Sequence, residues 1–410
     1  MIRSRFAMIR IGIIGKTNTG KTTFFNAATL LTAEVSTYPF TTKKPNMGTA
    51  YVRTICVCKE LGVKDEPRNS ACIEGWRFIP VELVDLPGLI RGSWEGRGLG
   101  NRFLGVAAQA DALIHVTDAS GSVDAEGKLT KPGLGNPIMD VYDIEEEIAS
   151  WFVKSIAKSL KSIKKRVESG IPLGESIYQS IAGLKVKPEH IDDALVNTGL
   201  EKKAPKRWTE KDVKLFAQEL RRIAKPTIII ANKMDIANAS ENYKRMTEEF
   251  KGSFVVPACS EAEIALRRAE EKGFIRYVPG EEKFQVMDES KLTQDQRWAL
   301  SYVQERVLTR WVNTGVQFAI NMSVFKLLGM NTVYPVEDAK RLSDHSGRIL
   351  PDALLIPYDA NVKDLAREIH TELAKTMLYA LDARTGLRLP TEYVVKDRDV
   401  ISIVAAARKK

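Results

Sequence analysis

MIRIGIIGKTNTGKTTFFNAA, residues 8–28, is the stretch whose reading decides the fold. Met8 to Ile14 is apolar and β-branched except at Arg10 and Gly12, the composition of a buried strand. Gly15-Lys16-Thr17-Asn18-Thr19-Gly20-Lys21-Thr22 fits the pattern G-x-x-x-x-G-K-[ST], and Thr23 to Ala28 reads as the start of a helix. Strand, glycine loop and helix in that order form a cradle for a nucleoside triphosphate. The glycines let successive backbone N–H groups face phosphate oxygens, and the helix N-terminus adds its positive end. Gly15, Asn18, Thr19, Gly20, Lys21, Thr22 and Thr23 are the expected phosphate-binding residues. Lys21 would reach the β- and γ-phosphates and Thr22 would bind Mg²⁺.

Working outward, three further strand ends narrow the nucleotide. Pro80 to Val84 is strand-like and ends at Asp85-Leu86-Pro87-Gly88, so Asp85 stands where a carboxylate holds Mg²⁺ through water. Gly88 would let the backbone sense the γ-phosphate. Thr227 to Ala231 leads to Asn232-Lys233-Met234-Asp235. The Asp235 carboxylate would accept from guanine N1–H and its exocyclic amine, a donor pair that adenine lacks. Ser253 to Val256 leads to a turn containing Ser260 and Glu261, where a backbone N–H would meet guanine O6. The expected ligands are therefore GTP and GDP with Mg²⁺, and GTP in preference to ATP.

To these motifs are added Tyr38-Pro39-Phe40-Thr41-Thr42, Pro45-Asn46-x-Gly48, Leu89-Ile90 after Gly88, and Gly96-x-Gly98-Leu99-Gly100-Asn101-x-Phe103-Leu104. With them the chain resembles the Obg-family GTPases, and among them the YchF-like subfamily in its archaeal form. The resemblance implies an α/β P-loop GTPase domain that hydrolyses GTP to GDP and phosphate. It also implies switch loops near 33–48 and 88–101, with Thr42 as a further Mg²⁺ ligand. The glutamine that orients water in Ras-type GTPases is replaced here by Leu89. Two substitutes for it are expected: K⁺ held by Asn18, and His115 on the apolar stretch Ala112 to Val116. The competing readings are that Asn18 only stabilises its loop and that His115 is a packed core residue.

At 410 residues the chain has room for two to three domains. The expected division is a GTPase domain over 8–119 and 226–318, a helical, coiled-coil-like arm over 120–225, and a C-terminal domain over 319–410. Gly347, Leu350-Pro351, Asp364-Leu365-Ala366 and Asp399-Val400-Ile401 give that last part the outline of a small ubiquitin-like α+β fold, and the resemblance implies a TGS domain. The net charge of +9 is not spread evenly, for residues 150–225 hold 17 bases and 9 acids. On the helix predicted over 144–167, Phe152, Ile156, Leu160, Ile163 and Val167 share one face, and Lys154, Lys158, Lys161 and Lys165 the opposite one. RNA or the ribosome is the expected partner of this insert and of the TGS domain, with no DNA sequence specificity. A slow-turnover or ATP-accepting scaffold is the alternative.

No run of about 18 apolar residues occurs, so no membrane partner is expected and the reading is cytoplasmic. Cys56, Cys58, Cys72 and Cys259 read as reduced, packed thiols, because no spacing or histidine supplies a fourth metal ligand. Cys56 and Cys58 are expected on a strand. Trp298, Val303, Val307 and Trp311 lie at helical spacing and read as core.

Overall fold

The structure, a computed structural model, describes residues 8–30, 45–88 and 105–406. It divides into two compact units. The first holds Arg10–Gly48 and Leu83–Ala319. The second holds the N-terminal residues to Ile9, Thr49–Glu82 and Ile320–Lys410.

In chain order the strands are β1 (Arg10–Ile14), β2 (Asn46–Ile55), β3 (Ala71–Ile73), β4 (Trp76–Asp85), β5 (Ala112–Asp118), β6 (Thr227–Asn232), β7 (Val255–Pro257), β8 (Ile275–Arg276), β9 (Gln285–Val286), β10 (Met330–Val336), β11 (Leu354–Pro357), β12 (Met377–Asp382), β13 (Arg388–Leu389) and β14 (Val400–Ala405). The helices are α1 (Lys21–Thr29), α2 (Val57–Leu61), α3 (Pro137–Glu168), α4 (Leu173–Ser180), α5 (Pro188–Thr198), α6 (Glu210–Ala224), α7 (Ala239–Glu249), α8 (Ser260–Glu271) and α9 (Gln294–Val303), followed by shorter turns.

The first unit is built on the strand order β4-β1-β5-β6-β7. β1 and β5 pair in parallel from Ile11 with Ala112 to Ile14 with His115, and β5 and β6 from Leu113 with Thr227 to Asp118 with Asn232. Every residue of β5 is buried, as expected for a parallel strand covered on both faces. The C-terminal tips of β1, β4, β5, β6 and β7 lie along one edge, where ligands of open α/β sheets bind.

The insert is helical, as expected, but it is not a coiled-coil-like hairpin. It consists of four helices, and they share one core with the sheet. Ile144, Ile148, Phe152, Ile156 and Ile163 of α3 join Val213, Phe216, Ala217 and Leu220 of α6, together with Ile14, Val84, Leu86 and Leu113. Asn136 caps α3 by accepting from the Ile138 and Met139 N–H groups, and Pro137 stands at the first helical position, where its missing N–H costs nothing. The two helices of a hairpin bury one narrow stripe each. A 32-residue helix that packs against both a sheet and three neighbours needs the wider apolar arc seen here.

In the second unit β3 pairs with the first half of β4, Ala71 opposite Phe78. By its contacts Thr49–Glu82 groups with this second unit. The C-terminal sheet has the order β11-β10-β14-β12-β13, with β10 and β14 parallel. Val362 and Leu365 of the helix Val362–Ile369 pack on Val333, Ile356 and Ile401. That helix stops at His370, which caps the next turn by accepting from the Glu372 N–H. Tyr393 to Lys396 makes a single bridge, Asn361 with Val394.

Candidate functional site

Gly20 ends the phosphate loop in the left-handed region, φ 98°, and starts α1. The loop is tied to the guanine motif by one side chain. Asn232 donates through Nδ2 to the Thr19 carbonyl at 3.0 Å, and its Oδ1 accepts from the Ser260 N–H at 3.2 Å and the Ser260 hydroxyl at 3.0 Å. Three motifs from distant parts of the chain meet on this amide.

Lys21 is buried, and burial pushes its ammonium down to about 8, with Asp85 pulling the other way. Asp85 is fully buried too, and burial pushes its carboxyl up against the pull of Lys21, Thr22 and Asn46. Its Oδ2 accepts from the Thr22 hydroxyl at 2.8 Å and from Asn46 Nδ2 at 3.3 Å. Its Oδ1 has no hydrogen-bond partner among the described residues. A buried carboxylate oxygen left unpaired beside a hydroxyl is costly in this form, and a hard divalent cation satisfies both oxygens. The residues present therefore fit Mg²⁺. Gly88 lies against the loop, so close that a Cβ on it would stand 2.5 Å from Thr17 Cγ2.

Lys233 pairs with Asp118 at 3.0 Å. Asp118 also accepts from the N–H and hydroxyl groups of Ser120 and Ser122, so the tip of β5 is tied to the tip of β6. Asp235 is half-buried, with Cys259 Sγ at 3.1 Å from Oδ1 and the Tyr302 hydroxyl at 3.3 Å from Oδ2. Tyr302 comes from α9, and its ring meets that of Trp298 at 5.5 Å between centroids. Trp298 is 68% exposed, contrary to the core role expected of it, whereas Val303 and Val307 are buried.

The insert reaches the phosphate loop directly. Lys16, 2% exposed, pairs with Asp140 at 2.7 Å and Asp143 at 3.0 Å, both on the first turns of α3. Burial opposes the Lys16 charge, but Asp140 and then Asp143 hold its ammonium above the usual value. Burial pushes Asp140 up to about 6 against the pull of Lys16. The Gly127 carbonyl accepts from Thr17 Oγ1 at 3.1 Å and from Asn18 Nδ2 at 2.9 Å. Gly127 has φ 80°, and a Cβ there would come within 2.0 Å of Thr17 Oγ1. Only glycine allows this approach.

His115 sits in the middle of β5, fully buried, and neither ring nitrogen has a hydrogen-bond partner among the described residues. Burial pushes it down to about 3, with Arg221, Lys21 and Lys16 adding to the effect, so the ring is neutral near pH 7.

Comparison with known proteins agrees with this geometry. Residues 10–150 match the family described as a 50S ribosome-binding GTPase. Residues 230–338 match the G4 motif-containing domain of YGR210-like Obg-like GTPases, and residues 347–405 match the TGS domain. A GTP-binding protein of Methanocaldococcus jannaschii is 43% identical over 401 residues, which is 98% of this chain and all of that protein. The chain belongs to the YchF-type Obg-like GTPases. A ribosome-binding ATPase YchF of Haemophilus ducreyi is 31% identical over 283 residues, 64% of this chain and 69% of that one. The solved structure of a GTP-binding protein from Pyrococcus horikoshii has a TM-score of 0.79 at 35% identity, and covers 97% of this chain and all of its own.

Of the residues expected at a YchF-type site, Gly15, Asn18, Thr19, Gly20, Lys21, Thr22, Asp85, Gly88, Asn232, Lys233, Asp235 and Ser260 line the same sheet edge. Thr23 is half-buried one turn into α1, and Glu261 is exposed at the start of α8. Thr42 and Leu89 lie outside the described residues, as do most of the two switch loops. Asn18 donates through Nδ2 to the Gly127 carbonyl of the insert. Asp118, Gly127, Asp140, Asp143 and Tyr302 were not singled out by sequence, and Cys259 was read only as a packed thiol. Asp118 alone had a signal, an acid at a strand's C-terminal tip. The others are remote in sequence from the motifs they touch.

Proposed function

We propose that the chain is a GTP-hydrolysing switch whose nucleotide state controls binding to RNA or the ribosome. The observation that carries the reading is the meeting, at one sheet edge, of a phosphate loop, the Thr22–Asp85 pair and the Asp235 carboxylate. Asp235 accepts from guanine N1–H and the exocyclic amine. The Ser260 N–H is taken by Asn232, so the contact with guanine O6 falls to the next N–H of that turn, Glu261. Lys21, charged near pH 7 and buried, meets the β- and γ-phosphates. Thr22 and Asp85 hold Mg²⁺, which supplies charge neutralisation at the phosphate oxygens. Two groups enter as candidates for the hydrolytic step: Asn18 as a ligand of K⁺, and His115, whose direct action on water requires the ring to leave its place in β5.

Co-sedimentation with ribosomes in a GTP analogue and in GDP tests the switch. Binding in one state is expected, and absence from the ribosomal fraction in both removes the partner. Single-turnover hydrolysis in KCl and in NaCl at equal ionic strength tests the cation, with the faster rate expected in KCl and equal rates sinking it. A second reading, an ATP-accepting scaffold of slow turnover, rests on Leu89 in place of glutamine and on relatives whose names say ATPase. Equal affinities for ATP and GTP in calorimetry would favour it.

A further inference from the structure

Three of the four cysteines meet in the second unit. Cys56 follows β2 and is the N-cap of α2, Cys58 lies in the first turn of that helix, and Cys72 lies on β3. Cys56 and Cys58 are thus not on a strand, where they were expected. Cys56 Sγ stands 3.2 Å from Asp65 Oδ2, and Cys58 Sγ stands 3.8 Å from Cys72 Sγ. One ligand atom from each of Cys56, Cys58, Asp65 and Cys72 lies within 4.8 Å of the other three. Cys56 and Cys58 are buried, and Asp65 and Cys72 are half-buried.

We propose that Cys56, Cys58, Cys72 and Asp65 bind one divalent zinc-class cation as a structural site. A tetrahedral site with metal–sulfur bonds of about 2.3 Å has sulfur–sulfur edges of about 3.8 Å, which is the Cys58–Cys72 distance. Three thiolates and a carboxylate select zinc over calcium or magnesium, which prefer oxygen. Four protein ligands leave no open position, so the site is not catalytic. Arg77 supports the assignment. It is fully buried, its Nη1 lies 3.3 Å from Asp65 Oδ2, and its Nη2 donates to the Leu350 carbonyl. It therefore orients Asp65 from behind, as outer groups orient metal ligands, and offsets the negative charge of a thiolate-rich centre. On binding, the three thiols release their protons to solvent.

The ligands come from the end of β2, from α2, from the loop after it and from β3, so one ion fastens a short segment. Small folds commonly need such a staple. A Cys58–Cys72 disulfide accounts for two of these side chains but gives Cys56 and Asp65 no reason to converge on the same point.

The test uses the full chain, purified without chelator and assayed for metal per chain, then stripped under reducing conditions and titrated with Co²⁺. The expected result is about one zinc per chain as isolated. Titration should give a thiolate-to-cobalt charge-transfer band with tetrahedral visible bands, saturating at about one equivalent and displaced by Zn²⁺. Cys58→Ser and Cys72→Ser should lose the band, and Cys259→Ser, outside the cluster, should keep it. Asp65→Asn, which removes no thiol, should keep a thiolate band with affinity lowered about 10- to 100-fold, so the outcome does not hang on the folding of the cysteine variants. No charge-transfer band in the wild-type chain overturns the proposal. So does an unchanged titration in Cys58→Ser, or a Cys58–Cys72 disulfide whose reduction yields a chain that binds no metal.

Discussion

Asp235 decides the base by offering acceptors to a donor pair. Replacing it with asparagine puts an N–H where guanine has donors, and two charge-assisted hydrogen bonds are removed, each worth about 1.5–3 kcal/mol. Asp235→Asn should therefore lower GTP affinity by about 100-fold or more in calorimetry. It should gain xanthosine triphosphate, whose C2 carbonyl accepts from the new amide. His115 makes a different prediction. Its folded pKa is about 3 against 6.5 for the ordinary group. Between these values the unfolded chain binds a proton that the folded chain refuses, so stability rises with pH across the window and is lost as pH falls below 6.5. The slope from this residue approaches about 1.4 kcal/mol per pH unit. Urea unfolding of His115→Leu at about pH 7.5 and about pH 5 should lack this acid loss, and an unchanged pH dependence would show the ring to be solvated.

At the scale of elements, α3 does two things. Its first turns hold Lys16 of the phosphate loop through Asp140 and Asp143, and its later turns expose Lys158, Lys161 and Lys165. The element that touches the nucleotide loop thus also carries the basic face. The 17 bases of 150–225 overstate that face, because several act inside the fold. Arg221 pairs with Glu145 at 2.7 Å, Lys225 donates to the Ala110 carbonyl at 2.7 Å, and Lys203 pairs with Asp212 at 2.7 Å. The three exposed lysines of α3 are the ones to change. Lys158→Glu with Lys161→Glu and Lys165→Glu should weaken RNA binding and flatten its salt dependence. The logarithmic slope should fall by about 0.7–0.9 for each phosphate that is no longer neutralised. GTP affinity should stay as it was. Equal salt slopes for variant and wild type would move the RNA-binding face elsewhere.

For the whole molecule, folding and nucleotide binding are linked through the buried charges of the site. Lys21 and Asp85 are each held away from their ordinary pKa by burial. Lys21 donates to the Lys16 carbonyl and Asp85 Oδ1 is unpaired among the described residues; bound triphosphate would give Lys21 a charged partner, and Mg²⁺ would give one to Asp85 Oδ1. At ligand concentrations of about 100 times Kd, GTP with Mg²⁺ should add about 2.7 kcal/mol to unfolding free energy. Chelating the Mg²⁺ should remove most of that gain in thermal melts, and an unchanged melt would argue against Asp85 as a metal ligand. No helix among the described residues is long and apolar enough to cross a membrane.

The sequence by itself determined the nucleotide edge, because each motif there is local. A strand followed by Gly15 to Thr22, an aspartate at the tip of β4, and Asn232 to Asp235 after β6 each carry their chemistry within a few residues. It also determined which face of α3 is apolar, since 3.6-residue periodicity is a local property. What only the tertiary structure decided are the pairings across long separations. Lys16 meets Asp140, Asn18 meets Gly127, Asp235 meets Tyr302, Thr49–Glu82 joins the C-terminal unit, and Asp65 completes a cluster that three cysteines left one ligand short. No spacing rule encodes such meetings. They arise when packing brings buried polar groups together, and each must then be satisfied by whatever the fold places beside it.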